Sequence, residues 1–496
     1  MELFGEALTI TAGFFLLLAL VLALGFEFVN GFHDTANAVA TVIYTNTLKP
    51  TVAVVWAGCW NLIGVLAASG AVAYSIVALL PVELVLDSGT GAGFAMIFSL
   101  LISAIIWNVG TWYLGLPASS SHTLIGSIMG VGVANSIMQG TGWMAGINWT
   151  KAQEIFTYLL ISPLFGFVAA GLLLIMLKLV VRRQDLYQAP KKDTPPPFWI
   201  RCVLVCTCTL VSFFHGSNDG QKGMGLIMLI LVGIVPASFA LKMGTDPAIV
   251  QATTVELRQV ESSLRPQAGT TTITQTDAHT ELTAFIKPSG GKPTEKTYAA
   301  IVEQADHVAN ALTQVKNFGE LEKADRTVLR GEMYLVGESI GKLLKKNQVT
   351  DPVAVAQLKK AKSDLDGITK YIPTWVKVAV ALALGLGTMI GWKRIVVTVG
   401  EKIGKAHLTY AQGASAELIA ASTIGIADGL GLPVSTTHVL SSGIAGTMAA
   451  NGSGLQRSTL INILLAWVLT LPVCVFLGAT LFASALYLML HVFGIR

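Results

Sequence analysis

Long apolar stretches alternate with short polar ones along most of the chain. Most of them reach or exceed the roughly 20 residues that a helix needs to cross about 30 Å of hydrocarbon. They lie at about 8–30, 33–46, 51–80, 93–114, 118–138, 153–181, 198–238, 373–398, 408–430, 433–450 and 458–492. The pattern predicts an all-α polytopic membrane protein with about 10–12 transmembrane segments.

One segment, 241–371, breaks this pattern. It holds 17 Lys or Arg and 16 Asp or Glu residues, and it contains no cysteine. Its apolar residues recur at helical spacing on both sides of a region rich in Pro and Gly at 266–293. We interpret 241–371 as one inserted, mostly helical, soluble subdomain, whose role its residues do not reveal.

The composition agrees with a membrane protein. Hydrophobic residues make up 53% of the 496 residues and charged residues only 12%, with a mean hydropathy of +0.64. Soluble globular proteins carry about 25% charged residues. The composition therefore argues against a soluble enzyme or a nucleic-acid-binding protein.

Two polar motifs each occur twice. "GLPASSSHTLIG" begins at Gly115 and "GLPVSTTHVLSS" at Gly431, an offset of 316, whereas "NGFHDTANAV" and "HGSNDGQKGM" align through Gly31 and Gly216 at an offset of 185. The two offsets differ by 131, which is the length of segment 241–371. The chain is therefore predicted to consist of two halves built on one plan, with a single insertion in the second half.

Charge bias predicts that the two halves are inverted. The loop after 51–80 is acidic, with Glu83 and Asp87, whereas the loop after 373–392 is basic. Loops rich in Lys and Arg stay in the cytoplasm, so equivalent loops of opposite bias should lie on opposite faces, and the N-terminus and the insertion should face outwards. The predicted domains are a first transmembrane repeat (1–181), a cytoplasmic basic linker (182–197), the start of the second repeat (198–240), the insertion (241–371) and the rest of the second repeat (372–496).

The Ser- and Thr-rich motifs predict helices that begin inside the membrane region. A Pro followed by hydroxyl residues is typical of an N-cap and first turn, and a broken helix at that depth must be buried in protein or line a cavity. A helix N-terminus favours an oxyanion, so two re-entrant hairpins could share one anion between them. The candidate ligands are Ser119, Ser120, Ser121, Ser435, Thr436 and Thr437. The simpler alternative is that these small polar residues join helices.

Histidines accompany both hairpin motifs. His122 and His438 could donate to the anion, relay protons, or support the hairpins by bonding a backbone carbonyl, and we favour the last of these.

Acidic residues at membrane depth supply candidates for cation or proton coupling. Asp34 and Asp219 are equivalent in the two halves, although each could also cap a helix at a break. Asn37 aligns with Lys222, whose ammonium could replace a bound cation or contact an anion directly. Glu27 and Glu417 are further buried acids and candidate proton sites.

The motifs "GFHDTANAVAT", "HGSNDGQKG", "GLPASSSHTLIG" and "GLPVSTTHVLSSG" resemble the inorganic phosphate transporter (PiT) family, and its bacterial low-affinity permeases in particular. The resemblance implies a cation-coupled phosphate symporter built from inverted repeats, with proton coupling in bacterial members. It implies phosphate carried as a complex with a divalent metal (Mg, Zn, Ca or Mn), and arsenate as an adventitious substrate. It also points to Asp34, Asn37, Asn218 and Asp219 as site residues. His33 and Lys222 stand where the family has Asn, which favours protons over sodium.

We therefore expect a proton-coupled phosphate importer that works by alternating access in a bacterial inner membrane. The expected partners are phosphate and the lipid bilayer, with no cofactor and no nucleic acid; a homodimer is left open. One alternative is a permease for sulfate or another oxyanion. The other is a receptor or channel that acts through segment 241–371. An enzyme is not expected, because no nucleophile and base pair or metal-ligand motif is present.

Overall fold

A computed structural model describes residues 2–34, 36–77, 79, 91–144, 146–191, 194–287, 291–315, 317–492 and 494. In the first half the helices are α1 Ile10–Asp34, α2 Ala36–Tyr44, α3 Pro50–Ala67, α4 Ala71–Val77, α5 Gly91–Tyr113, α6 Ser120–Met138 and α7 Trp149–Val180. A 3₁₀ turn at Gln184–Leu186 follows, then α8 Phe198–Ile234 and α9 Pro236–Phe239. A short antiparallel pair, β1 Glu2–Leu3 and β2 Glu6–Ala7, precedes them.

The charged segment is helical throughout its described part. It contains α10 Pro247–Ala268, α11 Gln275–Ile286, α12 Glu295–Thr313, a 3₁₀ turn at Phe318–Glu320, α13 Lys323–Lys345 and α14 Pro352–Thr369. The chain then continues with α15 Thr374–Met389, α16 Lys393–Val397, a π turn at Thr398–Lys402, α17 Tyr410–Gly429, α18 Thr436–Asn451 and α19 Arg457–His491.

Six helical stretches are long and apolar enough to cross a membrane, or seven if α14 and α15 are counted as one broken span. The six are Ile10–Tyr44, Pro50–Ala67, Gly91–Tyr113, Trp149–Val180, Phe198–Ile234 and Arg457–His491. The chain is thus an all-α, multi-pass membrane protein. The described residues give fewer such helices than the predicted 10–12, because the hairpin helices are short or comparatively polar. With 16 residues, α18 reaches only about 24 Å.

The chain divides into two compact units. One contains the N-terminal residues up to Leu16 together with Leu231–Ile372. Its helices α10–α14 enclose their own apolar core, which extends from Leu241 to Ile368. The N-terminal strand pair belongs to this unit, since Ser238 donates its amide hydrogen to Glu6 Oε1 at 2.9 Å.

The second unit, called the membrane unit below, comprises Leu17–Ile230 and the residues from Pro373 onward. Its helices pack in a reciprocal way. The first-half hairpin helix α6 packs on the second-half helix α19, and the second-half hairpin helix α18 packs on the first-half helix α7. Each hairpin helix therefore packs on the other half of the chain, and the inversion of the two halves stays a prediction.

Glycines allow two close helix crossings in the membrane unit. A Cβ on Gly31 of α1 would lie 2.3 Å from Leu384 O of α15, and a Cβ on Gly216 of α8 would lie 2.1 Å from Asn61 O of α3. Gly31 and Gly216 are the two glycines that align in the repeat. Each crossing brings the polar residues that neighbour its glycine against the backbone of the other helix.

One predicted span is interrupted. The stretch 51–80 ends its first helix at Ala67, where Ala68 is extended and Gly70 adopts a φ of +94°, before α4 begins. Glu83 and Asp87, on which the acidic loop depends, lie outside the described residues.

Candidate functional site

Both hairpin helices begin where the sequence predicts. Ser119 and Ser435 are the N-caps of α6 and α18, and each side chain accepts a hydrogen bond from a backbone amide three residues later, at 3.2 Å. Both N-caps are buried. The two local structures are alike because a hydroxyl residue after Pro satisfies the first free N–H groups of a helix.

The two hairpins contact each other directly. Ser121 Oγ donates to Val434 O of the second hairpin at 2.8 Å. The rings of His122 and His438 lie 4.7 Å apart, and His438 stacks on Trp467 at 3.9 Å. The two broken helices therefore form one contact region rather than two separate sites.

The contacts of the two histidines correct one expectation. Among the described residues neither ring bonds a backbone carbonyl, and His122 Nδ1 and His438 Nε2 are buried without a partner. The two rings pack against one another, and His438 also stacks on Trp467, so these histidines join the hairpins through ring contacts.

The predicted carboxylates meet at the N-terminus of α6. Asp34 and Asp219 are both buried, and Ser120 Oγ lies 3.3 Å from Asp34 Oδ2 and 3.4 Å from Asp219 Oδ2. From the other hairpin, Thr437 Oγ1 donates to Asp34 Oδ1 at 2.6 Å. The two carboxylates thus accept hydrogen bonds from hydroxyl groups of the hairpin helices.

Lys222 is fully buried beside these carboxylates. Its Nζ lies 2.7 Å from Asp219 Oδ2 and donates to Ser120 Oγ at 3.1 Å. Lys222 lies three positions after Asp219, which places both side chains on one face of α8. The ammonium lies where a bound cation would contact Asp219, and it also lies beside the hydroxyl of a hairpin.

Two histidines contact the carboxylates as well. His33 Nδ1 lies 3.2 Å from Asp34 Oδ1, and its Nε2 lies 3.1 Å from Thr111 Oγ1. His215 Nε2 lies 3.7 Å from Asp34 Oδ2 and 3.4 Å from Asp219 Oδ2. His215 was not among the predicted site residues. Its spacing of four residues from Asp219 was the signal that could have found it.

Two buried acceptors near the hairpins have no hydrogen-bond partner in the described part of the chain. They are Asp219 Oδ1 and Asn218 Oδ1. The orientation of the Asn218 amide follows from its Nδ2, which donates to Leu432 O at 3.1 Å. A buried acceptor without a partner is costly, so both atoms suit a ligand that can donate hydrogen bonds.

The other predicted residues are placed differently. Glu27 packs against Gly223, next to Lys222, and its Oε2 accepts from Asn30 Nδ2 at 3.4 Å. Glu417 is bonded by the hydroxyls of Thr41 and Thr207, and the described residues show no contact between it and the two aspartates. Thr436 is buried in the first turn of α18. The side chain of Asn37 lies outside what the structure describes.

The arrangement combines a place for an anion with a place for a cation. Two helix N-termini with their hydroxyls favour an oxyanion. Next to them, the paired carboxylates favour a positive charge. A buried site of this kind can bind an anion and a cation together more tightly than either one alone.

The chain is similar to phosphate transporters over nearly its whole length. The model of the phosphate transporter family (PHO4) matches residues 30–478. The low-affinity inorganic phosphate transporter PitA of Escherichia coli strain K12 is 44% identical over 96% of this chain and 97% of that protein. A probable low-affinity inorganic phosphate transporter of Bacillus subtilis is 29% identical, over 93% of this chain and 95% of that protein.

A solved structure shows the same fold. The sodium-dependent phosphate transporter superposes with a TM-score of 0.51 at 19% identity, covering 95% of this chain and 98% of that one. Its helices therefore follow the same overall course. The family match and the bacterial relatives establish the family and the location: this chain is a transporter of the bacterial inner membrane that belongs to the phosphate transporter family.

Proposed function

We propose that the chain imports phosphate together with protons by alternating access. The observation that carries the proposal is the ion pair of Lys222 with Asp219 at 2.7 Å. The ammonium already supplies a positive charge to the second-half carboxylate. A coupling cation is then needed mainly by Asp34, whose side-chain partners in the described part of the chain are histidine and hydroxyl groups. Such groups suit a proton better than sodium.

Phosphate is favoured over sulfate by the two unpaired acceptors, Asp219 Oδ1 and Asn218 Oδ1. A protonated phosphate can donate to them, whereas fully ionised sulfate has no hydrogen to donate. A site built to bond a substrate OH rejects an analogue without it by up to about 10⁴–10⁵-fold. The match to the phosphate transporter family points the same way, and it also argues against a receptor or channel that acts through 241–371.

The form of the cargo is part of the proposal. Phosphate bound to Mg²⁺, Zn²⁺, Ca²⁺ or Mn²⁺ would reach the site as a neutral complex, which lowers the cost of moving its charge into a buried cavity. Arsenate has the same tetrahedral shape and protonation chemistry, so it should enter by the same route.

Uptake of labelled phosphate into proteoliposomes tests the proposal. An inward proton gradient should drive accumulation of phosphate. Asp34→Asn should abolish this accumulation, because a neutral amide has no negative charge to pair with the coupling proton. Glu417→Gln serves as the comparison, since Glu417 makes no contact with the aspartates in the described structure. Accumulation that follows a sodium gradient at fixed pH would contradict proton coupling. Loss of coupling in Glu417→Gln but not in Asp34→Asn would move the proton site to Glu417.

A further inference from the structure

His215 lies between one carboxylate from each half of the chain. Its side chain is almost wholly buried, and its Nε2 faces Asp34 Oδ2 and Asp219 Oδ2 at 3.7 and 3.4 Å. Neither of these separations is a close hydrogen bond. The imidazole therefore occupies the centre of the paired carboxylates without being tied to one of them.

A chain of hydrogen bonds determines the other side of the ring. Thr388 Oγ1 donates its hydrogen to Leu384 O at 2.9 Å, so it can only accept from Asn61 Nδ2, also at 2.9 Å. That bond orients the Asn61 amide and turns its Oδ1 towards His215 Nδ1, at 3.0 Å. An amide oxygen only accepts hydrogen bonds. His215 Nδ1 must therefore carry a hydrogen.

With Nδ1 protonated, the ring has two possible states that differ only at Nε2. In the cation, the N–H group at Nε2 points at two carboxylate oxygens. In the neutral ring, the lone pair of Nε2 faces the same two oxygens, which is unfavourable in a buried site. The proton that His215 gains or loses is therefore the one between Asp34 and Asp219.

The surrounding charges are arranged so that this one proton matters. The groups that face His215 or its partners are Asp34, Asp219, Lys222, His33, Asn61 and, through Gly223, Glu27. Lys222 balances one of the two aspartates permanently. A charged His215 balances the other, and its loss leaves an excess negative charge beside the hairpins, where an anion would bind.

His33 differs from His215 in one respect. Thr111 Oγ1 donates to Trp107 O at 2.9 Å and so accepts from His33 Nε2, which fixes that ring in a similar way. Within the described residues, however, His33 Nδ1 contacts Asp34, its neighbour in the chain, and not Asp219. Among the described histidines that contact these carboxylates, His215 is the one that joins the two halves.

We propose that His215 Nε2 binds the proton that is transported together with phosphate. The inference rests on the proposed function and assigns its coupling step to a residue. On the outer side, hydronium gives its proton to Nε2 and leaves as water, and the imidazolium offsets the carboxylates so that phosphate can bind at the hairpins. On the inner side, phosphate leaves, the N–H bond at Nε2 breaks, and the proton passes to water. Asn61 and Thr388 are positioning residues, because they act only by holding the other ring nitrogen.

The test compares wild type and His215→Gln in proteoliposomes by two assays. A gradient of one pH unit supports about tenfold accumulation for each proton carried. Wild type should accumulate phosphate under this gradient, whereas His215→Gln should reach only the external concentration. Exchange of internal for external phosphate, which needs no net proton movement, should remain in the variant but require a higher phosphate concentration, because Gln lacks the positive charge that favours the anion. Gradient-driven accumulation by His215→Gln with the wild-type pH profile would overturn the inference.

A second pair of variants tests the assignment without changing His215, in case His215→Gln is inactive in both assays. Thr388→Val removes the acceptor that orients Asn61, whereas Thr388→Ser keeps it. The hydrogen bond from Nδ1 to Asn61 is stronger when the ring is charged, so weakening it should move the pH of half-maximal uptake in Thr388→Val downwards by about one unit or more. Thr388→Ser should keep the wild-type profile. Identical profiles for Val and Ser would overturn the inference.

The wild-type protein distinguishes a failure of the proposed function from a failure of the assignment to His215. If wild type shows no uptake driven by a proton gradient, the proposed function is wrong, and the assignment of the proton to His215 falls with it. If wild type shows such uptake but neither His215→Gln nor Thr388→Val changes its pH dependence, only the assignment is wrong.

Discussion

Replacement of Lys222 by methionine removes the ammonium that lies 2.7 Å from Asp219 Oδ2. Both side chains are fully buried in this structure, so the substitution leaves the Asp219 carboxylate buried without its ion-pair partner. At this distance and an effective dielectric constant of 20, the lost attraction is about 6 kcal/mol. Part of it is offset because the ammonium itself no longer needs to be desolvated. We expect a net loss of stability of about 3–5 kcal/mol.

A double-mutant cycle measures this coupling. Wild type, Lys222→Met, Asp219→Asn and the double variant are compared by denaturant or thermal unfolding in detergent. The double variant should recover at least about 2 kcal/mol relative to the sum of the single losses, because no charge is then left without a partner. A parallel cycle of Asp219→Asn with Lys377→Met is the control, since Lys377 Nζ donates to Ala68 O instead. Additive losses within about 0.5 kcal/mol in the Lys222 cycle would refute the reasoning.

Three further predictions concern packing, selectivity and pH. Gly31→Ala should destabilise the membrane unit by about 1–3 kcal/mol or more, because its Cβ would meet Leu384 O at 2.3 Å. Gly25→Ala on the same helix has open space around it and should fold and transport like wild type. Equal yields and equal melting temperatures for the two variants would contradict the close crossing. A hundredfold excess of sulfate should leave phosphate uptake unchanged, on the order-of-magnitude selectivity argued above, and inhibition would mean that Asp219 Oδ1 does not accept from the substrate. In the unit that contains the insertion, Glu338 and Asp366 lie 2.6 and 3.0 Å from the Lys370 ammonium and hold its pKa above its usual value near 10.5. The stabilisation from these ion pairs is complete below pH 10.5 and is lost as pH rises further. Protease cleavage within 247–369 of the intact chain should therefore become faster above pH 10.5 in wild type, and this increase should be smaller in Lys370→Met.

The local features of the site could be predicted because they depend on neighbouring residues. Ser119 and Ser435 start helices in the structure as their motifs predict, since N-capping involves residues three positions apart. Asp34 and Asp219 align in the sequence through the two related motifs, and the structure places both carboxylates beside Ser120 Oγ; their equivalence in a repeat stays a prediction. The resemblance to phosphate transporters also depended on these motifs, and the family match confirms it.

Contacts between distant helices could not be predicted in the same way. His122 and His438 pack against each other, and His438 stacks on Trp467. Glu417 is bonded by Thr41 and Thr207, and the described residues show no contact between it and the aspartates. No periodicity in the sequence specifies which polar residue faces which partner across a helix crossing.

The sequence by itself determined that the protein is a helical membrane protein with a charged helical segment and two hydroxyl-rich helix starts, and it predicts two related halves. Hydropathy, motif spacing and N-cap chemistry are all read within short windows or by direct alignment. The tertiary structure decided the rest. Gly216 lets α8 approach Asn61, and that contact fixes the ring of His215 between Asp34 and Asp219. Asn61 and Asp34 lie more than 150 positions from His215 in the sequence, so only the packed chain brings these side chains together.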